Sequence, residues 1–292
     1  MYNRILIPTD GSEGTEQAVA RAVGIAQTFG SDVHVLYVVD TRPYSGIDLA
    51  DEEALEQAAI QAGRKAITEI RERVDESGID LTQATRTGVP HVEILEYTDA
   101  NEIDLVVMGT HGRTGAELAA LGSTTERVLR GVDIPVLTTN LTGGPDDSDA
   151  AGYTAYDDIL VPTDGSDTAG RAAEHALRFA EQYGATIHAL YVVDTSVFNG
   201  EDAPRSVLGP LREGGQNAVT EIKAMASEVN IPVSTHLVEG KPAERILDSA
   251  SEIDADLITM GRRGRTGLPE VPLGRTTERV VRRAETPVLT VL

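Results

Sequence analysis

Along this chain, short unbroken apolar runs take turns with longer stretches whose apolar residues return every three or four positions. Residues 4–9 form the first run, closed by Asp10-Gly11-Ser12, after which Ala18, Ala22, Ile25, Ala26 and Phe29 recur at helical spacing until Gly30. Apolar runs bounded by turn residues predict strands, and a period of 3.6 predicts helices. Residues 32–39 then read as a second strand, and 52–74 as a long helix with Leu55, Ala59, Ala62, Ala66, Ile67 and Ile70 on its inner face, ended by Ser77-Gly78. Residues 81–86 are a third strand, polar enough for a sheet edge. A short helix at 92–99, a strand at 105–108, a helix at 124–130 and a strand at 135–139 complete the order.

The second half repeats this order and much of its wording. Ile5-Leu6-Ile7-Pro8-Thr9-Asp10-Gly11-Ser12 returns as Ile159-Leu160-Val161-Pro162-Thr163-Asp164-Gly165-Ser166, and Leu36-Tyr37-Val38-Val39-Asp40 as Leu190-Tyr191-Val192-Val193-Asp194. The offset is 154 at the aspartate (164 − 10) and 152 at Gly109 and Gly261 (261 − 109), so two residues are missing from the second copy. The dissimilar stretches 41–53 and 195–213 are where the loss is expected. A period this long marks self-sufficient domains, since solenoid repeats run to a few tens of residues. Residues 1–140 and 157–292 are the expected domains. Residues 141–156, aperiodic and rich in Gly, Pro, Asp and Ser, are the expected linker.

Alternating strands and helices predict a parallel sheet with helices on both faces, because each right-handed crossover lays its helix against the sheet. In such sheets ligands bind outside the carboxyl ends of the strands, where the strand order reverses. With a 3-2-1-4-5 order, that crevice lies between the strands ending in Pro8-Thr9-Asp10 and in Met108-Gly109. The most distinctive sequence of the chain stands there. Met108-Gly109-Thr110-His111-Gly112 is followed after nine residues by Gly122-Ser123-Thr124, and Met260-Gly261-Arg262-Arg263-Gly264 after nine by Gly274-Arg275-Thr276. Each copy follows an apolar run and leads into Thr-Glu-Arg-Val, a helix start.

Glycines at these positions let backbone approach a phosphate and take positive φ, and a helix N-terminus offers free N–H groups and a positive dipole end to an anion. Each residue also has a plainer reading. The glycines are turn formers, Ser123 with Glu126 reads as a capping box, and Asp10 and Asp164 read as caps of turns into the next helix. Gly240-Lys241 lacks the surroundings of a Walker-type phosphate loop, and His111 is matched by Arg263, which argues against a catalytic or metal role.

Composition sets the surroundings. The net charge is −22, and of 25 basic residues only Lys65, Lys223 and Lys241 are lysine. Nucleic acid and anionic membranes repel such a surface. An acidic excess with lysine almost absent suits a salt-rich, halophilic cytoplasm, where screening removes self-repulsion; an ordinary acidic cytosolic protein is the alternative. There is no cysteine, hence no disulfide, thiol nucleophile or cysteine-based zinc site. With no leader-like segment at the start and no apolar run of membrane-spanning length, the chain is expected to be soluble and cytoplasmic.

An α/β unit that opens with Pro-Thr-Asp-Gly-Ser and closes with Gly-x2-Gly-x9-Gly-Ser/Thr resembles the universal stress protein family, in particular its ATP-binding branch. The resemblance covers both halves. It implies two tandem Rossmann-like domains of the adenine nucleotide alpha hydrolase-like class, each a five-stranded parallel sheet, and association through the last strand, so that the chain resembles a covalently fused dimer that can assemble further. It also implies ATP or another adenine nucleotide as ligand, with or without Mg2+, and a part in the stress response. On that resemblance Pro8, Thr9, Asp10 and the backbone of Val38 hold the adenine end, Met108 and Gly109 lie by the ribose, and Gly112, Gly122, Ser123 and Thr124 take the phosphates. The second copy would use Pro162, Thr163, Asp164, Val192, Met260, Gly261, Gly264, Gly274, Arg275 and Thr276.

Arg275 departs from the pattern, putting a cation where the family has a hydroxyl; it could clamp a phosphate or fill the pocket. Catalysis has thin support, since only Arg262, Arg263, Arg265 and Arg275 offer part of a phosphoryl-transfer set and no metal-holding carboxylate accompanies them. The chain reads first as a nucleotide-binding regulatory protein with no catalytic residues and no metal site of its own. A slow ATPase or phosphotransferase, and a scaffold that binds no nucleotide, are the alternatives.

Overall fold

The computed structural model describes residues 1–12, 14–40, 42, 49–75, 77–110, 121–140, 155–196, 205–265 and 273–292, with no side-chain detail at 49–53 and 205–207. The chain divides into two compact units, Met1–Thr154 and Ala155–Leu292. The expected linker falls almost wholly outside the described residues.

The first unit runs β1 (Arg4–Thr9), α1 (Gly14–Phe29), β2 (Asp32–Asp40), α2 (Leu49–Asp75), β3 (Leu81–Gly88), α3 (Pro90–Ala100), β4 (Leu105–Gly109), α4 (Ser123–Gly131) and β5 (Val136–Thr139). Its strands are parallel in the order β3-β2-β1-β4-β5. The second unit runs β6 (Asp158–Thr163), α5 (Asp167–Tyr183), β7 (Thr186–Asp194), α6 (Arg205–Glu228), β8 (Val233–Gly240), α7 (Pro242–Glu252), β9 (Leu257–Gly261), α8 (Arg275–Arg283) and β10 (Val288–Val291). Its order, β8-β7-β6-β9-β10, is the same. Both units have the five parallel strands and the switch point between first and fourth strands that the sequence predicts.

The central strands are buried on both faces, as their unbroken apolar runs require. Ile5, Leu6, Ile7, Leu105, Val106 and Val107 are fully buried, as are Ile159, Leu160, Val161, Leu257 and Ile258. Each such aliphatic side chain contributes about 1.5–3 kcal/mol on leaving water. The polar β3 and β8 take the outer position of their sheets. Helices α1 and α5 present alanine to the sheet (Ala18, Ala22 and Ala26; Ala169, Ala172, Ala173 and Ala176), so backbone lies close to backbone. Gly30 at φ 68° and Gly184 at φ 74° end these helices in the left-handed region open to glycine.

Two expectations change. Helix α3 starts at Pro90, earlier than position 92, because Pro at the first helical position lacks only an N–H that no helix would use. In α2 the buried face is Gly63, Ala66, Ile67, Ile70 and Val74, while Leu55 is 41% exposed and Ala62 is exposed. Leu55 and Ala62 lie about a quarter of a turn off the middle of that stripe. Gly63 sits on it because a β-carbon there would stand 2.4 Å from Tyr37 Cδ1. In the second unit Gly215 meets Tyr191 at the same 2.4 Å. That matched pair is already at the shorter offset (215 − 63), so the two missing residues do fall between the second strand and this helix. Among the described residues no helix is long and apolar enough to cross a membrane.

Candidate functional site

The opening motif is a turn built from its own side chains. Thr9 Oγ1 accepts the Gly11 N–H at 3.0 Å, Asp10 Oδ1 accepts the Ser12 N–H at 3.0 Å, and Gly11 takes φ 74°. In the second unit Thr163 Oγ1 accepts the Gly165 N–H at 3.1 Å and Asp164 Oδ1 the Ser166 N–H at 3.0 Å, with Gly165 at φ 76°. Glycine is needed at the fourth position of the motif for this left-handed conformation. The turn-capping role of the aspartates is thus present in both units. Asp164 also reaches across: its Oδ2 accepts the Arg265 N–H at 2.7 Å, tying the end of β6 to the glycine loop after β9. A β-carbon on Gly264 would stand 2.6 Å from that same oxygen.

The strand–loop–helix segments match closely. Thr110 N–H donates to Thr139 O and Gly122 N–H to Thr110 O; Arg262 N–H donates to Val291 O and Gly274 N–H to Arg262 O. At Gly261 a β-carbon would lie 2.9 Å from Thr168 C and 3.0 Å from Ala169 N, so the strand passes too near the α5 backbone for any side chain. Thr125 and Thr277, which the sequence reading did not single out, clamp the return: their hydroxyls donate to Gly109 O and Gly261 O, each at 2.9 Å. Leu121 and Leu273, buried just ahead of the glycine, anchor it.

The helix starts differ from the expected capping box. Gly122 is the N-cap of α4 and no side chain caps it, so Ser123 is already the first helical residue, while Glu126 pairs with Arg130. Gly274 is likewise the uncapped N-cap of α8, with Arg275 first in the helix. By contrast, α5 is capped by Ser166, whose oxygen accepts the Ala169 N–H. With glycine as cap, no cap side chain takes the first-turn N–H groups of α4 and α8, and free N–H groups at a helix start favour an anion.

In the second unit Pro162, Thr163, Asp164, Val192, Met260, Gly261, Gly264, Gly274, Arg275 and Thr276, the ten positions singled out from sequence, all line one cavity of about 680 Å3. Its lining includes the apolar Leu190, Val193, Leu211 and Ile246 and, from the glycine loop and the start of α8, Arg263, Arg265 and Arg275. Arg262, grouped with these arginines in the sequence, is not part of the lining: it is buried, 1% exposed. In the first unit Pro8, Thr9 and Asp10 stand at the end of β1, Met108 and Gly109 at the end of β4, Val38 near the end of β2, and Gly122, Ser123 and Thr124 at the start of α4. Gly112 lies outside the described residues. Beyond Val38, the Arg42 guanidinium, hydrogen-bonded to Asp40, holds that carboxyl below the usual carboxylate range.

The sequence model of the universal stress protein family matches residues 1–140 and again 155–291. A universal stress protein of Methanocaldococcus jannaschii, MJ0531, is 43% identical over 143 residues, which is 48% of this chain and 84% of that protein. Another, Slr1230 of Synechocystis, is 23% identical over 311 residues and aligns with 98% of both chains. Among solved structures, a universal stress protein from Archaeoglobus fulgidus superposes with a TM-score of 0.73 at 26% identity, covering 99% of this chain and 96% of that one.

Proposed function

We propose that this chain, which belongs to the universal stress protein family, binds an adenine nucleotide, ATP foremost, in each of its two units. Its role would be regulatory: a stress-response protein whose nucleotide state alters its shape or contacts. The observation that carries this reading is the second unit's cavity. One enclosure combines an apolar wall for a base, glycines that keep side chains away from the middle, and an uncapped helix start with arginines at the far end. Its volume, about 680 Å3, is within the range of small-molecule sites, roughly 300–1,000 Å3. The first unit shares the turn, the threonine clamp and the uncapped helix.

The second cavity offers Mg2+ no carboxylate cage, so any Mg2+ that the protein uses would arrive with a nucleotide. Of the two aspartates lining the cavity, Asp164 is engaged by Ser166 and Arg265, and Asp194 by Ser196. Among the described residues no group of three or more His, Asp or Glu could hold a metal. We further propose that the two units pair through their last strands as an internal pseudo-dimer, able to assemble into larger homo-oligomers. The setting we propose is a salt-rich cytoplasm.

Calorimetric titration of the full chain with ATP and with GTP, with phosphate release followed in the same samples, tests the reading. Two ATP sites per chain, preference for ATP, and no sustained release are expected. Absence of binding to any adenine nucleotide would overturn it and leave the scaffold reading. Slow hydrolysis is the second reading, favoured by the arginines around the phosphate end. Sustained turnover abolished by Arg275→Ala would establish it.

A further inference from the structure

The phosphate end of the second cavity holds a concentration of unmatched positive charge. Several arginines of this strongly acidic chain meet carboxylates, as in Arg86–Glu93, Arg212–Glu239 and Arg282–Glu278. Arg263, Arg265 and Arg275 all line the cavity, and among the described residues none of the three is in an ion pair. The Nε of Arg263 is buried without a hydrogen-bond partner. A buried guanidinium N–H left without an acceptor is costly, and an anionic ligand beside it would supply one; Arg265 and Arg275 are exposed and can turn toward the same ligand. The two aspartates of the lining keep their charge, but their oxygens already accept from turn and loop N–H groups or hydroxyls, and neither is in an ion pair with the three arginines.

We infer that the second unit takes the polyphosphate of its nucleotide free of divalent metal, with Arg263, Arg265, Arg275 and the first turn of α8 supplying the countercharge. The inference rests on the nucleotide reading above and adds the ionic form of the ligand. A triphosphate carries up to four negative charges; three guanidinium groups and a helix N-terminus offset part of that, each arginine able to give paired N–H donors to phosphate oxygens. The first unit is built otherwise. Ser123 stands at the position of Arg275, and the residues matching Arg263 and Arg265 are His111 and Arg113, both outside the described residues. One permanent cation there replaces three, so the first site is the one that needs Mg2+ to accompany its ligand.

The test is calorimetric titration of the full chain with ATP in EDTA and in Mg2+. In EDTA the chain is expected to bind one ATP, and in Mg2+ two. The EDTA site should weaken by roughly tenfold in Arg275→Gln, the loss expected for one charge-assisted contact, and further in the Arg263→Gln/Arg265→Gln/Arg275→Gln variant. Its affinity for adenosine, which carries no phosphate, should be unchanged. Arg275 is exposed, so the single substitution reports even if the triple variant folds poorly. ATP binding only in the presence of Mg2+ would overturn the inference while leaving the nucleotide reading intact, as would an EDTA site indifferent to Arg275→Gln. Failure to bind ATP in either condition would overturn both.

Discussion

His175, on α5, is held neutral by its surroundings. Burial, reinforced by the nearby Arg178 guanidinium, pushes its pKa down to about 4. In the unfolded chain it titrates near 6.5. Between those values the unfolded form binds a proton that the folded form refuses, so this group removes stability as pH falls from about 6.5 to about 4 and no more below that. The loss reaches roughly 2 kcal/mol at about pH 5. Urea unfolding at neutral pH and near pH 5 should show His175→Gln losing less stability on acidification than the unaltered chain. Equal losses would contradict the assignment. Other residue-scale features differ in how far sequence reveals them. The ten positions around the second cavity were legible because the motif occurs twice at fixed spacing and glycine has a physical meaning there. Thr125 and Thr277 were not, because each hydroxyl serves a carbonyl 16 positions back in the chain, and no local pattern announces such a partner. Their retention in both copies was the available signal. Ser123 misled for a related reason: a hydroxyl beside glycine reads as a cap, whereas the helix begins one residue earlier, on glycine itself.

At the scale of elements, order and topology followed from periodicity, and the errors came where glycine was counted as a gap. In α2 the buried stripe passes through Gly63, whose missing side chain makes room for the Tyr37 ring, and Gly215 and Tyr191 repeat the arrangement. A reading that follows only apolar side chains therefore rotates the face toward Leu55 and Ala62. The contact makes a direct prediction. Gly63→Ala puts a methyl group 2.4 Å from Tyr37 Cδ1 and should cost on the order of 1–3 kcal/mol, as overpacking does. In a double-mutant cycle with Tyr37→Leu the two changes should couple by more than ~1 kcal/mol, because shrinking the ring relieves the clash. Strict additivity in denaturant unfolding would show that α2 shifts away from the sheet instead.

At the scale of the whole molecule, the net charge of −22 governs behaviour in solution. Acidic side chains face water across both units, and the balance of 47 acidic against 25 basic residues leaves their repulsion uncompensated in dilute buffer. Salt shortens the reach of that repulsion from about 30 Å at 0.01 M to about 3 Å at 1 M. The thermal midpoint should therefore climb steadily from dilute buffer to molar KCl; a flat or falling trend would remove the halophilic setting and leave the nucleotide site untouched. Duplication adds a second consequence, since the copies have diverged at the first residue of the helix after the glycine loop, Ser123 against Arg275. The central claim, that the cavity outside β6 and β9 is a nucleotide site, is tested most directly by a crystal structure of the full chain grown with ATP. The account predicts adenine against the apolar wall near Val192 and phosphates at the first turn of α8 among Arg263, Arg265 and Arg275. ATP at saturating concentration bound elsewhere, or this cavity left empty, would contradict it.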